Sequence, residues 1–342
     1  MVFPRPIPTP NTPISVATAG EALMDMIQEA DGRLRPCNGG AVYNLTRALG
    51  LQGVGTLYLN PLSQDRFGRG LAEAITQVGV TLAHPEPAHE PTSLAVVSVD
   101  PAGKASYSFY REGVADRRVN AATMTAQCAA QPALKMVVTG CLALVADDSH
   151  KYLPWLQAQR GADRLVVVDA NLRPAIVPDM AAYQASVLAA LREADIVKVS
   201  DDDLHLLGFT DPDPLVAARE LLAQTPARWL ALTLGAKGAV FLSRDAAAWQ
   251  TSESQPVTVA DTVGAGDCFL AGLLAALLER PAMQTAKTAT SLRLDASDVQ
   301  ALLANAIASA SLCVMQTGCA PPTREQVLRR LSDGPPLFRA LG

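Results

Sequence analysis

The chain has 342 residues and a formal charge of −5, with no long basic run, which argues against nucleic acid as a partner. Apolar residues make up 49% of it and aromatics only 5%, so it carries a large Ala/Leu/Val core of the kind that packs helices on a buried sheet. Cys37, Cys128, Cys141, Cys268, Cys313 and Cys319 show neither Cys-x-x-Cys nor Cys/His ligand spacing, so no disulfide framework or zinc site is expected, and reduced thiols in a cytoplasmic protein are.

Met1 to Pro13 is proline-rich and lacks a signal-peptide core; it reads as a flexible leader or a short extended arm. No uninterrupted apolar run reaches membrane-spanning length, so no membrane partner is expected. Ile14 to Ala19 reads as a short strand ending in Gly20-Glu21, and Ala41 to Leu49 as a helix with Gly50 as its C-cap. Val54 to Leu59 is the next strand, and Gly70 to Val78 the next helix, stopping at Gly79. Leu94 to Val99 and Ala105 to Tyr110 flank the turn Asp100-Pro101-Ala102-Gly103 and read as a hairpin. Met136 to Val138, Leu165 to Val168, Ile196 to Val199 and Trp229 to Thr233 are short apolar strands separated by helical patterns, which predicts a mostly parallel sheet covered on both faces. A second hairpin spans Ala239 to Leu242 and Ala248 to Thr251, a strand is expected over Pro256 to Ala260, and helices over Ala301 to Gln316 and Arg324 to Leu331 finish the chain. With no solenoid repeat and no long linker, one domain over residues 1–342 is expected.

The stretch Asp261-Thr262-Val263-Gly264-Ala265-Gly266-Asp267 leads straight into the apolar helical run Cys268 to Leu278. Its glycines permit a tight turn with consecutive exposed N–H groups, and the positive end of a helix dipole adds to them, which suits a phosphate. Asp267 reads either as a helix cap or as a base for an attacking hydroxyl. The heptad resembles the C-terminal signature of the PfkB, or ribokinase-like, carbohydrate kinases. That resemblance implies Asp267 as catalytic base and Gly264, Ala265 and Gly266 as anion hole. The fold it implies is ribokinase-like: a three-layer α/β/α body with a mostly parallel central sheet and a small β-sheet lid, built from about residues 22–36 and 92–116. The lid would close over the sugar and form the contact of a homodimer.

Asn38-Gly39-Gly40-Ala41-Val42-Tyr43-Asn44 resembles the family's N-terminal Gly-Gly-x-x-x-Asn, and Gly20-Glu21-Ala22-Leu23-Met24-Asp25 its opening Gly-Glu-x-x-x-Asp. Asp25, Gly39, Gly40 and Asn44 are thereby implied as sugar ligands. Phe109-Tyr110-Arg111 with Ala115-Asp116 is similar to a segment of bacterial fructokinases, and Asp169-Ala170-Asn171-Leu172-Arg173 to the Asp-x-Asn-x-Arg of fructokinases and 2-keto-3-deoxygluconate kinases. Arg111, Asn171 and Arg173 are the substrate-binding residues this implies. Lys198 to Leu204 occupies the family's Asn-x-x-Glu position, with Ser200 and Asp203 in the two places; Asp203 is implied to organise Mg²⁺ through water, while a helix N-cap explains the same residues without a metal. Thr233-Leu234-Gly235-Ala236-Lys237-Gly238 resembles the segment that holds the nucleotide phosphates and ribose, and Asn305 to Gly318 the helix and turn over adenine. Lys198, Ser200, Thr233, Gly235, Gly238 and Asn305 are the nucleotide-binding residues so implied, and Asp261 with the Val263 carbonyl the loop for a monovalent cation, K⁺. The run Asn60-Pro61-Leu62-Ser63-Gln64-Asp65-Arg66-Phe67-Gly68 departs from the family's Gly-x-x-Gly-x-Asp-x-Phe-Gly in both early glycines, which puts its turn geometry in question.

The activity implied is ATP-dependent phosphorylation of a primary sugar hydroxyl, with fructose first, 2-keto-3-deoxygluconate second and ribose or a nucleoside third. A catalytically silent binding protein on the same fold is the alternative from another class. A dinucleotide-binding dehydrogenase is disfavoured because the opening strand leads to Gly20-Glu21 and not to Gly-x-Gly-x-x-Gly.

Overall fold

The computed structural model describes residues 7–9, 11–29, 31–99, 105–286 and 291–341. Its strands are β1 (Val16–Ala19), β2 (Leu23–Gln28), β3 (Leu34–Gly39), β4 (Thr56–Tyr58), β5 (Thr81–Leu82), β6 (Ser93–Val99), β7 (Ala105–Tyr110), β8 (Met136–Gly140), β9 (Leu165–Asp169), β10 (Ile196–Ser200), β11 (Trp229–Thr233), β12 (Ala239–Ser243), β13 (Ala248–Ser252) and β14 (Leu337–Leu341). Its helices are α1 (Ala41–Leu51), α2 (Arg66–Thr76), α3 (Ala121–Ala129), α4 (Ser149–Gly161), α5 (Met180–Leu191), α6 (Asp201–Leu206), α7 (Pro214–Ala223), α8 (Ala265–Glu279), α9 (Pro281–Thr285), α10 (Ala296–Val314) and α11 (Arg324–Asp333).

The large sheet runs β14-β13-β12-β11-β10-β9-β8-β1-β4-β5. From β5 to β11 neighbouring strands are parallel; β12, β13 and β14 continue it antiparallel. Successive side chains of a strand point to opposite faces, so a strand that is apolar throughout needs cover on both sides. In β9, Val166 and Val168 join Trp155, Tyr183 and Leu221 in one core, while Leu165 and Val167 join Leu270, Leu274 and Leu302 in the other. This alternation makes the body three layers, with α8 and α10 on one face and α4, α5 and α7 on the other. α10 is long and apolar enough to cross a membrane by length and composition, but Val299, Leu302, Leu303 and Ala306 are buried in the same core as α8.

A second sheet has the order β3-β2-β6-β7. β2 follows β1 after three residues, so this small sheet is rooted at the C-terminal end of β1. Leu23 and Ala95 of the small sheet pack with Cys141 and Leu142 of the body. The expected hairpin is β6–β7; its turn, Asp100 to Gly103, lies outside the described residues.

Local chemistry corrects three expectations. Gly50 does not cap α1, which runs on to Leu51 with Gln52 as C-cap; Gly53 takes the positive φ of 76°. Gly50 serves close packing instead, since a Cβ there would fall 2.5 Å from the Val78 carbonyl oxygen. α2 starts a turn before Gly70, because the Asp65 carboxylate accepts the Gly68 amide at 2.7 Å and caps it. Pro256 to Ala260 is not a strand: β14, which the sequence reading missed, pairs with the outer edge of β13, and the Ala260 amide bonds the Val314 carbonyl at 2.8 Å. Of the leader, Pro8 is buried, its carbonyl against Gly79, where a Cβ would meet it at 2.3 Å.

Candidate active site

Loops at the C-terminal ends of β1, β8, β9, β10 and β11 converge with the N-terminus of α8, the place where open α/β sheets hold ligands. Two hollows meet there. One, of about 380 Å³, is walled by Glu21, Asp25, Gly40, Asn44, Phe109 and the stretch from Asp261 to Asp267. The other, of about 590 Å³, is a groove along Lys198, Ser200 to Asp203, Thr233, Gly235 and Gly238, with Ile307 and Ala310 as its apolar side. Asn171, Arg173, Ala265 and Gly266 belong to both walls.

Gly264 makes the turn into α8 in the left-handed conformation, with φ 78°. The helix begins at Ala265, so the first-turn amides of Gly266 and Asp267 have no intrahelical acceptor and face the junction as donors. Behind this loop lies an ammonium: a Cβ on Gly266 would fall 2.9 Å from Lys198 Nζ. Lys198 pairs with Asp169 at 3.0 Å. Burial works against its charge, but Asp169 and Asp203 outweigh it, so the ammonium is held above its usual pKa.

Asp267 is buried, and Asn44 Nδ2 donates to its Oδ2 at 3.1 Å. Burial first, then the Asp169 carboxylate, push its pKa up to about 7 against the pull of Lys198 and the Asn44 bond. A carboxyl poised near neutrality suits an acceptor of a hydroxyl proton. The other end of the Asn44 amide, Oδ1, is buried with no partner among the described residues. In a polar cavity such an orphaned acceptor suits a ligand hydroxyl. Asp25 is pushed up to about 6 by burial, partly offset by Arg173. It fits only because the residue facing it is glycine: a Cβ on Gly39 would lie 2.1 Å from Asp25 Oδ2.

The model of the pfkB family carbohydrate kinases matches residues 14–326. The chain belongs to that family. It is 32% identical over 266 residues to a fructokinase of Rhizobium leguminosarum bv. trifolii, covering 77% of this chain and 79% of that protein. To a fructokinase of Salmonella typhimurium it is 29% identical over 265 residues, covering 75% and 82%. Among solved structures, fructokinase with bound ATP from Xylella fastidiosa has a TM-score of 0.78 at 25% identity, covering 93% of this chain and 98% of that one. Aminoimidazole riboside kinase from Salmonella enterica shares the fold, with a TM-score of 0.75 at 22% identity, covering 93% and 99%. As a pfkB carbohydrate kinase the protein is a phosphotransferase with an alcohol acceptor.

In this kinase Asp25, Gly40, Asn44, Asn171, Arg173, Asp261 and the Gly264–Asp267 loop share the first hollow, and Lys198, Ser200, Asp203, Thr233, Gly235 and Gly238 the second. Three expected ligands do not join them, and one of these, Gly39, is buried against the Asp25 carboxylate. Arg111 is turned inward, paired with buried Asp116 at 3.1 Å behind the cavity wall; its neighbour two residues earlier, Phe109, lines the cavity instead. Asn305 is on α10, its Nδ2 bonded to the Ala301 carbonyl at 2.8 Å and its Oδ1 to Arg324 of α11. Asp203 is the N3 residue of a capping box: Oδ2 accepts from the Ser200 amide and hydroxyl, both at 2.8 Å, and Oδ1 from the Leu172 amide at 2.8 Å. Asp261 accepts the Val263 amide at 3.0 Å and the Gly318 amide at 2.9 Å, which shapes the loop before Gly264.

Asn60, one of the departures from the family pattern, is buried. Its side chain accepts the Gly20 amide at 2.8 Å and donates to the Asp116 carbonyl at 2.7 Å and the Tyr152 hydroxyl at 2.8 Å. It thus pins the end of β1 to the segment after β7. Two acids of the site escaped the sequence reading. Glu21 lines the cavity, with Oε1 on the Ala41 amide at 2.7 Å and Oε2 buried without a partner among the described residues. Asp169 is the counter-ion of Lys198. Each follows or ends an apolar strand, which is the signal available in sequence.

Proposed function

We propose that the kinase transfers the γ-phosphoryl group of ATP to a primary hydroxyl of fructose. The observation that carries this reading is the shared wall: the anion loop at Ala265 and Gly266 is at once the floor of a groove and the side of a polar cavity that holds Asp267. A sugar in the cavity finds hydrogen-bond partners in Asp25 and Asn44; ATP in the groove lies along Thr233, Gly235 and Gly238. Asp267 takes the proton of the sugar hydroxyl as its oxygen attacks the γ-phosphorus, and ADP leaves along the groove. The loop amides, Lys198 and Arg173 stabilise the charge on the transferring group, so positioning and electrostatics supply most of the rate. Fructose is favoured by the fructokinase relatives over most of the chain. Arg173 in the cavity wall supports a second reading, a sugar acid such as 2-keto-3-deoxygluconate, by offering a fork to its carboxylate.

The residues present fit Mg²⁺. Asp169, Asp203 and Asp267 gather three carboxyl groups beside Lys198 and Arg173, and a divalent cation that keeps several waters needs few protein carboxylates. Asp169 and Asp203 would hold it through water, and it would neutralise phosphate oxygens. K⁺ at the Asp261 and Val263 loop, and pairing of two copies through the small sheet, where Leu34 and Tyr110 are exposed, belong to the same proposal.

The test is coupled ADP release over a panel of sugars and sugar acids, in the wild type and in Arg173→Ala. Fructose should have the highest kcat/KM. A wild-type preference for the sugar acid, lost in Arg173→Ala, would replace fructose by the second reading; no ADP release with any of them would refute both.

A further inference from the structure

Three thiols that are far apart in sequence stand together behind the anion loop. Cys268 is in the first turn of α8, Cys313 in the last turn of α10, and Cys319 in the loop beyond it. Their sulfurs all lie within 4.8 Å of one another. Cys268 and Cys313 are buried; Cys319 is half-buried and forms part of the cavity wall, so a small ion reaches the group from the cavity. The trio touches the catalytic loop directly. A Cβ on Gly264 would fall 2.2 Å from Cys319 Sγ, and the Cys313 Sγ stands 3.5 Å from the Val263 carbonyl oxygen.

We propose that Cys268, Cys313 and Cys319 form a binding site for one Zn²⁺ ion. Zn²⁺ bound by thiolates at about 2.3 Å needs sulfurs about 3.8 Å apart in a tetrahedral arrangement, which small side-chain rotations reach from the spacing seen here. Three sulfur ligands leave the fourth position to water. Each protonated thiol gives its proton to solvent as its sulfur–metal bond forms, and no electron is transferred. Zn²⁺ with three thiolates carries one net negative charge. Set behind Gly264 to Gly266, that charge opposes the phosphoryl group the loop receives, so occupancy lowers turnover. This last step rests on the proposed kinase reaction; the binding site does not.

The experiment uses the full chain, reduced, stripped with chelator and kept anaerobic. Cd²⁺, a spectroscopic stand-in for Zn²⁺, is titrated while the thiolate-to-metal charge-transfer absorption is read. One equivalent should saturate the band, Zn²⁺ should displace it, and Cys319→Ser and Cys313→Ser should each weaken binding at least tenfold. Cys128→Ser, buried on the opposite face of the sheet, should bind as the wild type does. Melting temperatures confirm that the variants fold, and Cys319→Ser, at a half-buried position, is the safer of the two. A wild type that takes up no ion at one equivalent, or a folded Cys319→Ser that binds equally well, overturns the site; so does mild oxidation with a small disulfide closing two of the three thiols while no Cd²⁺ is ever bound. For the coupling, Zn²⁺ should inhibit sugar phosphorylation in the wild type and not in Cys319→Ser, each compared with its own metal-free rate. Equal inhibition of both refutes the coupling. A chain that turns over no sugar leaves the absorption titration to decide the site alone.

Discussion

Replacing Asp267 by asparagine keeps the shape of the side chain and removes its ability to accept a proton. Turnover should fall about 10²–10⁴-fold with sugar and ATP binding nearly retained. The structure adds a second consequence, in stability. The carboxyl moves from 3.8 to about 7 on folding, chiefly through burial and the Asp169 carboxylate. The folded state therefore binds this proton more tightly than the unfolded one. The group's contribution is fully favourable below about pH 4 and is lost as pH rises to about 7. At about 1.4 kcal/mol per pH unit, the part of that interval between pH 5 and pH 7 amounts to roughly 2–3 kcal/mol. The neutral amide of the Asp267→Asn variant carries no such cost. Urea unfolding of the two proteins at pH 5 and pH 8 should show the variant gaining on the wild type by that amount, and the wild-type kcat/KM should fall on the acid side of about 7. Wild-type turnover in the folded variant, or stabilities that run parallel across this pH range, would show that Asp267 is not the buried base.

Asn60→Ala should destabilise the fold by roughly 2–4 kcal/mol, because it strips partners from the Gly20 amide and the Tyr152 hydroxyl in a buried setting; a loss below about 0.5 kcal/mol in urea melts would mean the triple contact is not formed. The small sheet should tighten on its substrate: saturating fructose without ATP should slow amide exchange at residues 92–99 and 105–116 more than in β9. Equal slowing in both, with fructose bound, would show that the small sheet does not close over the sugar.

The alternation of apolar runs with helical patterns was enough to foresee a parallel sheet covered twice, because a strand such as Leu165 to Val168 has no polar face to leave in water. The heptad ending in Asp267 foretold a glycine turn into an apolar helix, because only glycine takes the left-handed conformation without cost, as Gly264 does before α8. The signatures near Asp25 and Asn44 named side chains that do line one cavity with Asp267. What the sequence left open depended on partners distant in the chain. Gly50 looks like a helix end until Val78 is seen against it, and Pro256 to Ala260 looks like a strand until β14 takes the edge of β13. Arg111 and Asn305 match ligand positions, yet Asp116 and Arg324 claim their side chains, because a buried charge or amide is satisfied by whatever group packing brings first. The thiol trio is the extreme case. Cys268, Cys313 and Cys319 have no ligand spacing along the chain, and only the packing of α10 on α8 brings their sulfurs within reach of one ion. Periodicity and turn chemistry are local and legible in sequence; which side chains converge is set by how helices and loops pack across the sheet, and that is a property of the tertiary structure.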